Sequence, residues 1–158
     1  MNTFESKLKT LKESNKLELK KALTTFPNEA LSTYSAFANT DGGIIVLGIE
    51  ETKDGLKISG VQEPEKVKKE MFDCLNNRER VSKNLMTDDM VKEEILGDKT
   101  IILVEVPRAN FREKPIYLKN NLHNSYKRNF EGDYKCTEEE VKSMVRDSSS
   151  DSLDSTID

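Results

Sequence analysis

Asn39-Thr40-Asp41-Gly42-Gly43-Ile44-Ile45-Val46-Leu47-Gly48-Ile49-Glu50-Glu51 is the stretch that sets the architecture of this chain. Ile44 to Ile49 is apolar on both parities, the pattern of a strand covered on both faces. Before it, Ala30, Leu31, Tyr34, Phe37 and Ala38 recur at i, i+3 and i+4. That spacing predicts a helix over 28–39 with one buried stripe, starting just after Pro27, with Tyr34 and Phe37 in the core. The glycine pair suits the left-handed turn that closes a helix. A helix therefore feeds directly into a central strand. Beyond it, Lys53-Asp54-Gly55 predicts a turn into a short strand near 56–58.

Working outward, Phe4, Leu8 and Leu11 predict an amphipathic helix over 3–12. Leu17-Glu18-Leu19-Lys20 alternates as a half-buried strand does, with Leu17 and Leu19 inward and Glu18 and Lys20 together on the other face. Pro64 opens a helix over 64–78 that carries Val67, Met71 and Leu75, and 80–90 reads as irregular. Residues 90–96 and 100–106 predict a hairpin around Gly97-Asp98-Lys99, stopped by Pro107. Short strands are expected at 115–118 and 125–128, separated by a turn at Asn120-Asn121. Thr137 with Glu140 forms a capping box that starts a helix over 138–146, with Val141, Met144 and Val145 inward. These interleaved elements predict an α+β fold, a mixed or antiparallel sheet with helices packed on it. Residues 1–146 form the expected domain, and 147–158 an acidic Ser/Asp-rich linker or disordered tail.

Bulk chemistry narrows the function. The chain has 158 residues and a net charge of −4, but four acids and no base fall in 147–158, leaving 25 acids against 25 bases in the body. Overall charge thus neither demands nor forbids a polyanionic partner. A single histidine, His123, read as a turn residue, gives no support to a histidine-based zinc site or a Ser-His-Asp triad. Two distant cysteines, Cys74 and Cys136, read as reduced thiols of a cytoplasmic protein. The start lacks a signal peptide's apolar core, and no run approaches a membrane span.

Three constellations could carry chemistry. Glu13, Glu18 and Glu51 are the candidate catalytic acids, with Lys20 beside them. Clustered carboxylates bind Mg²⁺ or Mn²⁺, which can polarise a phosphate for cleavage, although solvated charges at strand edges give the same spacing. Asn39, Gly42 and Gly43 are the candidate phosphate loop, since glycines let backbone N–H groups approach an anion; a plain helix cap explains the pair as well. No Gly-Lys-Ser/Thr follows, so this is not a Walker A loop. The stretch from Arg108 to Lys135 interleaves bases with aromatics, as nucleic-acid-binding surfaces do. Lys20, Arg112, Lys119, Lys127 and Arg128 are the candidate phosphate contacts. In a strand-rich segment, cross-strand packing explains such aromatics equally.

Taken in order, Glu13-Ser-Asn-Lys-Leu-Glu18-Leu-Lys20, Ala36-Phe-Ala-Asn-Thr-Asp-Gly-Gly43, Val46-Leu-Gly-Ile-Glu50-Glu51, Ile102-Leu-Val-Glu-Val-Pro107, Lys114-Pro-Ile-Tyr-Leu-Lys119, Ser125-Tyr-Lys-Arg128 and Gly132 to Val141 resemble the Schlafen AlbA-like domain. This domain is also described as divergent AAA-type or DNA-binding, and the match covers about residues 10–146. The resemblance implies DNA or RNA binding, as the N-terminal module of a longer bacterial transcriptional regulator or helicase-related protein. Alternatively it implies a metal-dependent endoribonuclease acting on structured RNA such as tRNA, because vertebrate relatives cleave RNA with a Glu, a Glu five residues later and an acid after the Gly-containing strand. Glu13 and Glu18 match the first two; Glu51 stands where those nucleases usually carry Asp. Those relatives pair two lobes, so homodimerisation is a further implied role. Phe130 stands where many relatives carry Gly.

Overall fold

The computed structural model describes residues 3–157. Its elements in order are α1 (Thr3–Glu13), β1 (Leu17–Lys20), α2 (Ala30–Asn39), β2 (Gly43–Leu47), β3 (Ile49–Thr52), β4 (Gly55–Ile58), α3 (Pro64–Leu75), β5 (Val91–Leu96), β6 (Lys99–Val106), β7 (Tyr117–Leu118), β8 (Asn121–Asn129), β9 (Gly132–Lys135) and α4 (Glu138–Ile157). The main sheet has the order β1-β2-β6-β5. β1 runs parallel to β2, while β2–β6 and β6–β5 are antiparallel. A β3–β4 hairpin and a β7-β8-β9 meander complete the α+β fold.

Side-chain alternation divides the core into two layers. Ile45, Leu47, Ile102, Val104 and Val106 pack with Phe37 and Tyr34 of α2 and with Val67 and Met71 of α3. On the opposite face, Val46 and Ile101 join Leu17 and Leu8, with Phe4, Leu11 and Leu19 around them. Burying each such side chain contributes roughly 1.5–3 kcal/mol. Tyr34 lies in the first layer with its hydroxyl donating to the Lys83 carbonyl at 2.8 Å. It accepts from the Leu85 N–H at 2.8 Å. Burial pushes its phenol up to about 12.

The apolar run expected as one strand is two. Gly48 adopts φ +108 and turns the chain out of the main sheet, so β2 ends at Leu47 and Ile49 begins a hairpin on a separate sheet. A side chain at 48 would meet Ile101 and Val61 at 3.2 Å. Hydrophobicity alone carries no trace of this bend. Two other elements exceed expectation. β8 extends over nine residues instead of four, and β9, which pairs with it, has no apolar alternation to announce it. α4 continues through 147–157, where an unfolded stretch was expected. Extending a capped helix costs less than nucleating one, and Ser148 Oγ donates to the Arg112 carbonyl at 3.1 Å. Asp158 lies outside the described residues. Cys74 is buried, Cys136 half-buried, and both are free thiols. Among the described residues no helix is long and apolar enough to cross a membrane.

Gly42 closes α2. It sits at φ +75, and its N–H donates to the Phe37 carbonyl at 2.7 Å. A Cβ there would stand 2.9 Å from the Val106 carbonyl oxygen. Gly42→Ala is therefore expected to cost about 1–3 kcal/mol in urea denaturation, from the left-handed backbone plus the clash. A loss below about 0.5 kcal/mol would contradict this account of the turn.

Candidate functional site

β1 is an edge strand, and a concave surface wraps around it. One hollow of about 700 Å³ is lined by Lys9, Lys12, Glu13, Asn15, Asn129, Phe130 and Glu131. Its neighbour, about 370 Å³, shares Lys12 and Glu131 and adds Glu18, Lys20, Lys21, Glu50, Glu51 and Arg128. All three candidate acids and Lys20 line this combined surface.

They do not converge. Alternation along β1 sends Leu17 and Leu19 towards α1 and sends Glu18 to the other face. Glu51 instead reaches α1, where Lys12 Nζ donates to its Oε2 at 2.5 Å. That bond holds the Lys12 ammonium above its usual range. Glu18 accepts from Arg128 Nη1 at 3.0 Å and lies 3.5 Å from Lys20 Nζ. Glu13 opens on the adjoining hollow. No group of three His, Cys, Asp or Glu side chains among the described residues could hold a metal ion. Glu13, Glu18 and Glu51 thus do not fit a Mg²⁺ or Mn²⁺ centre in this arrangement, because protein cations already occupy two of the three carboxylates.

Arg128, expected on the surface as a phosphate contact, is inside. Its side chain is 2% exposed. Nη1 donates to Glu18 and, at 2.8 Å, to Asp133; Nη2 donates to the Leu17 carbonyl at 2.7 Å. The guanidinium lies over Phe37, 4.9 Å from the ring centroid, within cation–π range. Nε is buried without an acceptor. Arg128 therefore ties β8 and β9 to β1 and α2. Asp133 was not singled out from sequence, since nothing local distinguishes it from other turn acids. Asp133 also accepts from Thr33 Oγ1 at 2.6 Å.

The remaining candidates scatter. Lys127 Nζ donates to both Glu140 oxygens at 2.9 and 3.0 Å. The Thr137 N–H and then Lys127 hold Glu140 below the usual carboxylate range. Lys119 occupies an exposed turn at φ +56. Arg112 is exposed, 5.9 Å from the Phe111 ring centroid. None of these three lines the β1 surface. The phosphate-loop candidates are also engaged internally. Asn39 is bonded to the Ile116 and Tyr126 backbones, the Gly42 N–H caps α2, and Gly43 packs against Phe37, whose ring a Cβ would meet at 2.8 Å. The helix-cap explanation accounts for the pair.

A mixed four-stranded sheet with a parallel edge strand, a closing meander and a buried arginine joining them defines a compact class of α+β domain. The profile of the Schlafen, AlbA_2 family matches residues 13–137, and the chain belongs to that family. Among solved structures, it is similar to the N-terminal domain of an ATP-dependent DNA helicase RecG-related protein from Nitrosomonas europaea. The two share 28% identity over 84% of this chain and 90% of that one, with a TM-score of 0.59. The DIP2311 protein from Corynebacterium diphtheriae shares the fold at 16% identity and TM-score 0.56, over 92% of this chain but 29% of that one. No curated protein matches the chain.

Proposed function

We propose that this chain is a nucleic-acid-binding module of a longer bacterial regulatory or helicase-related protein, working in the cytoplasm and holding a phosphate backbone against the surface around β1. The observation that carries this reading is that Lys9 lines one hollow of that surface and Lys21 the other, with no ion pair to either among the described residues. Lys12 and Lys20 line the same surface and neutralise Glu51 and, with Arg128, Glu18. The likeness to an N-terminal domain of a helicase-related protein supports the same reading. With Glu18 and Glu51 held by protein cations, the surface supports binding over metal-dependent cleavage.

Phosphate contacts release counterions, so affinity is expected to fall steeply with salt, by about 0.7–0.9 in the log–log slope per contact. Fluorescence anisotropy with labelled DNA and RNA checks this. Replacing Lys9 and Lys21 together by Glu should weaken binding at low salt and flatten the slope by roughly two contacts' worth. Salt-independent affinity, or an unchanged slope in the double variant, would remove the phosphate contacts from this surface.

A further inference from the structure

The β8–β9 hairpin turns on Phe130 and Glu131 alone, with Asn129 paired to Gly132 across its mouth. Both turn residues are left-handed, at φ +46 and +62. This is the type I′ geometry that hairpins fill with Asn-Gly or Gly-Gly. A bulky aromatic there strains the backbone, and such strain persists only where the surroundings over-determine it. Here they do: the Glu131 N–H donates to Asn15 Oδ1 at 2.5 Å, and Asn15 is itself left-handed at φ +67. The Phe130 ring receives nothing in return from the core, for the residue is 80% exposed. It stands exposed and apolar, lining a hollow together with Lys9 and Lys12. Those lysines are three residues apart on α1 and so project from one helix face.

From this we infer that Phe130 is a stacking platform for an unpaired base, so that the nucleic acid this domain takes is single-stranded. The inference rests on the binding reading above and narrows its substrate class. An exposed ring on a fixed backbone offers a π-face to any base, while Lys9 beside it meets a flanking phosphate. Bases stacked within a duplex present no free face to it. Single-stranded DNA and RNA share this chemistry and form separate arms of the test.

The chain contains no tryptophan, so Phe130→Trp creates a single reporter at the tip. Its fluorescence should be quenched by single-stranded DNA or RNA and left unchanged by heparin, a polyanion without bases. Phe130→Leu, which keeps apolar bulk and loses the ring, should lower single-strand affinity at least about fivefold, with duplex affinity and the salt slope unchanged. Phe130→Gly should raise Tm by about 2–4 °C, because it relieves the left-handed strain. If Phe130→Leu binds single strands as the parent does while the Lys9/Lys21 variant is weakened, stacking is overturned and the binding reading stands. If the parent binds no nucleic acid at all, both fall. A lowered Tm for Phe130→Gly would make the ring structural and remove the premise.

Discussion

Arg128→Ala is expected to cost about 3–5 kcal/mol of folding free energy, the penalty of leaving buried charges without their partner. Against the roughly 5–15 kcal/mol that keeps a domain folded, that is a large fraction. The size follows from what the side chain leaves behind. Glu18 and Asp133, with side chains 21% and 17% exposed, lose the cation they share. The Leu17 carbonyl loses its donor, and the face of Phe37 loses its guanidinium. Lysine is not expected to rescue the site, since one ammonium cannot reproduce a planar fork that serves two carboxylates and a carbonyl. Adding Glu18→Gln and Asp133→Asn to Arg128→Ala should recover part of the loss, because no unpaired charge then stays inside. Urea denaturation of the single and combined variants measures each difference. A loss below about 1 kcal/mol for Arg128→Ala would place the charge in a solvated position.

Asn39→Ala is the second large effect, at about 2–4 kcal/mol, since it strands several buried backbone groups at once. Asn39 Nδ2 donates to the Ile116 and Tyr126 carbonyls at 3.0 Å each, and its Oδ1 accepts from the Ile116 N–H at 2.8 Å. Ser35, one turn earlier on α2, accepts from the Tyr126 N–H at 3.0 Å and donates to the Ile116 carbonyl at 2.7 Å. Together these side chains stand in for a strand, supplying ladder bonds where the chain before β7 and along β8 meets a helix. Asn39→Asp should be worse than alanine, because it aims a carboxylate at two carbonyl oxygens. Thermal denaturation should show Tm falling by roughly 5–15 °C for Asn39→Ala. A shift under about 2 °C would mean that water replaces the amide without penalty.

Legibility followed periodicity. α2, α3 and the β5–β6 hairpin could be read because apolar spacing reports which face meets a core. β1 was legible from four residues, and Glu18 and Lys20 do share a face. The break at Gly48 was not, since a glycine within an apolar run leaves hydrophobicity unchanged while altering direction. β9 was hidden because its partner β8, rather than an apolar pattern of its own, defines it. At the site, the sequence gathered Glu18, Glu51 and Lys20 by motif, and they do line one surface. What could not be read was the long-range pairing. Lys12 meets Glu51, Arg128 meets Glu18 and the Glu131 N–H meets Asn15 across separations of 39, 110 and 116 positions, and Asp133 meets Thr33 across 100. For the same reason the sequence predicts Arg128 as a surface cation: composition reports that an arginine is present, and only the tertiary fold reports that it is enclosed.

The arginine's reach along the chain also governs the order of events during synthesis. It joins residues 110 and 111 positions apart, Glu18 and Leu17 at one end and itself at the other. Contacts of such separation carry the largest loop-closure cost and form late. While the ribosome is still adding the middle of the chain, Glu18 has no guanidinium to receive it, and β1 lacks its clasp. The domain becomes complete only once the β8–β9 hairpin has cleared the exit tunnel, so a strand that has already paired with β2 waits for residues near 128 before its half-buried carboxylate is neutralised.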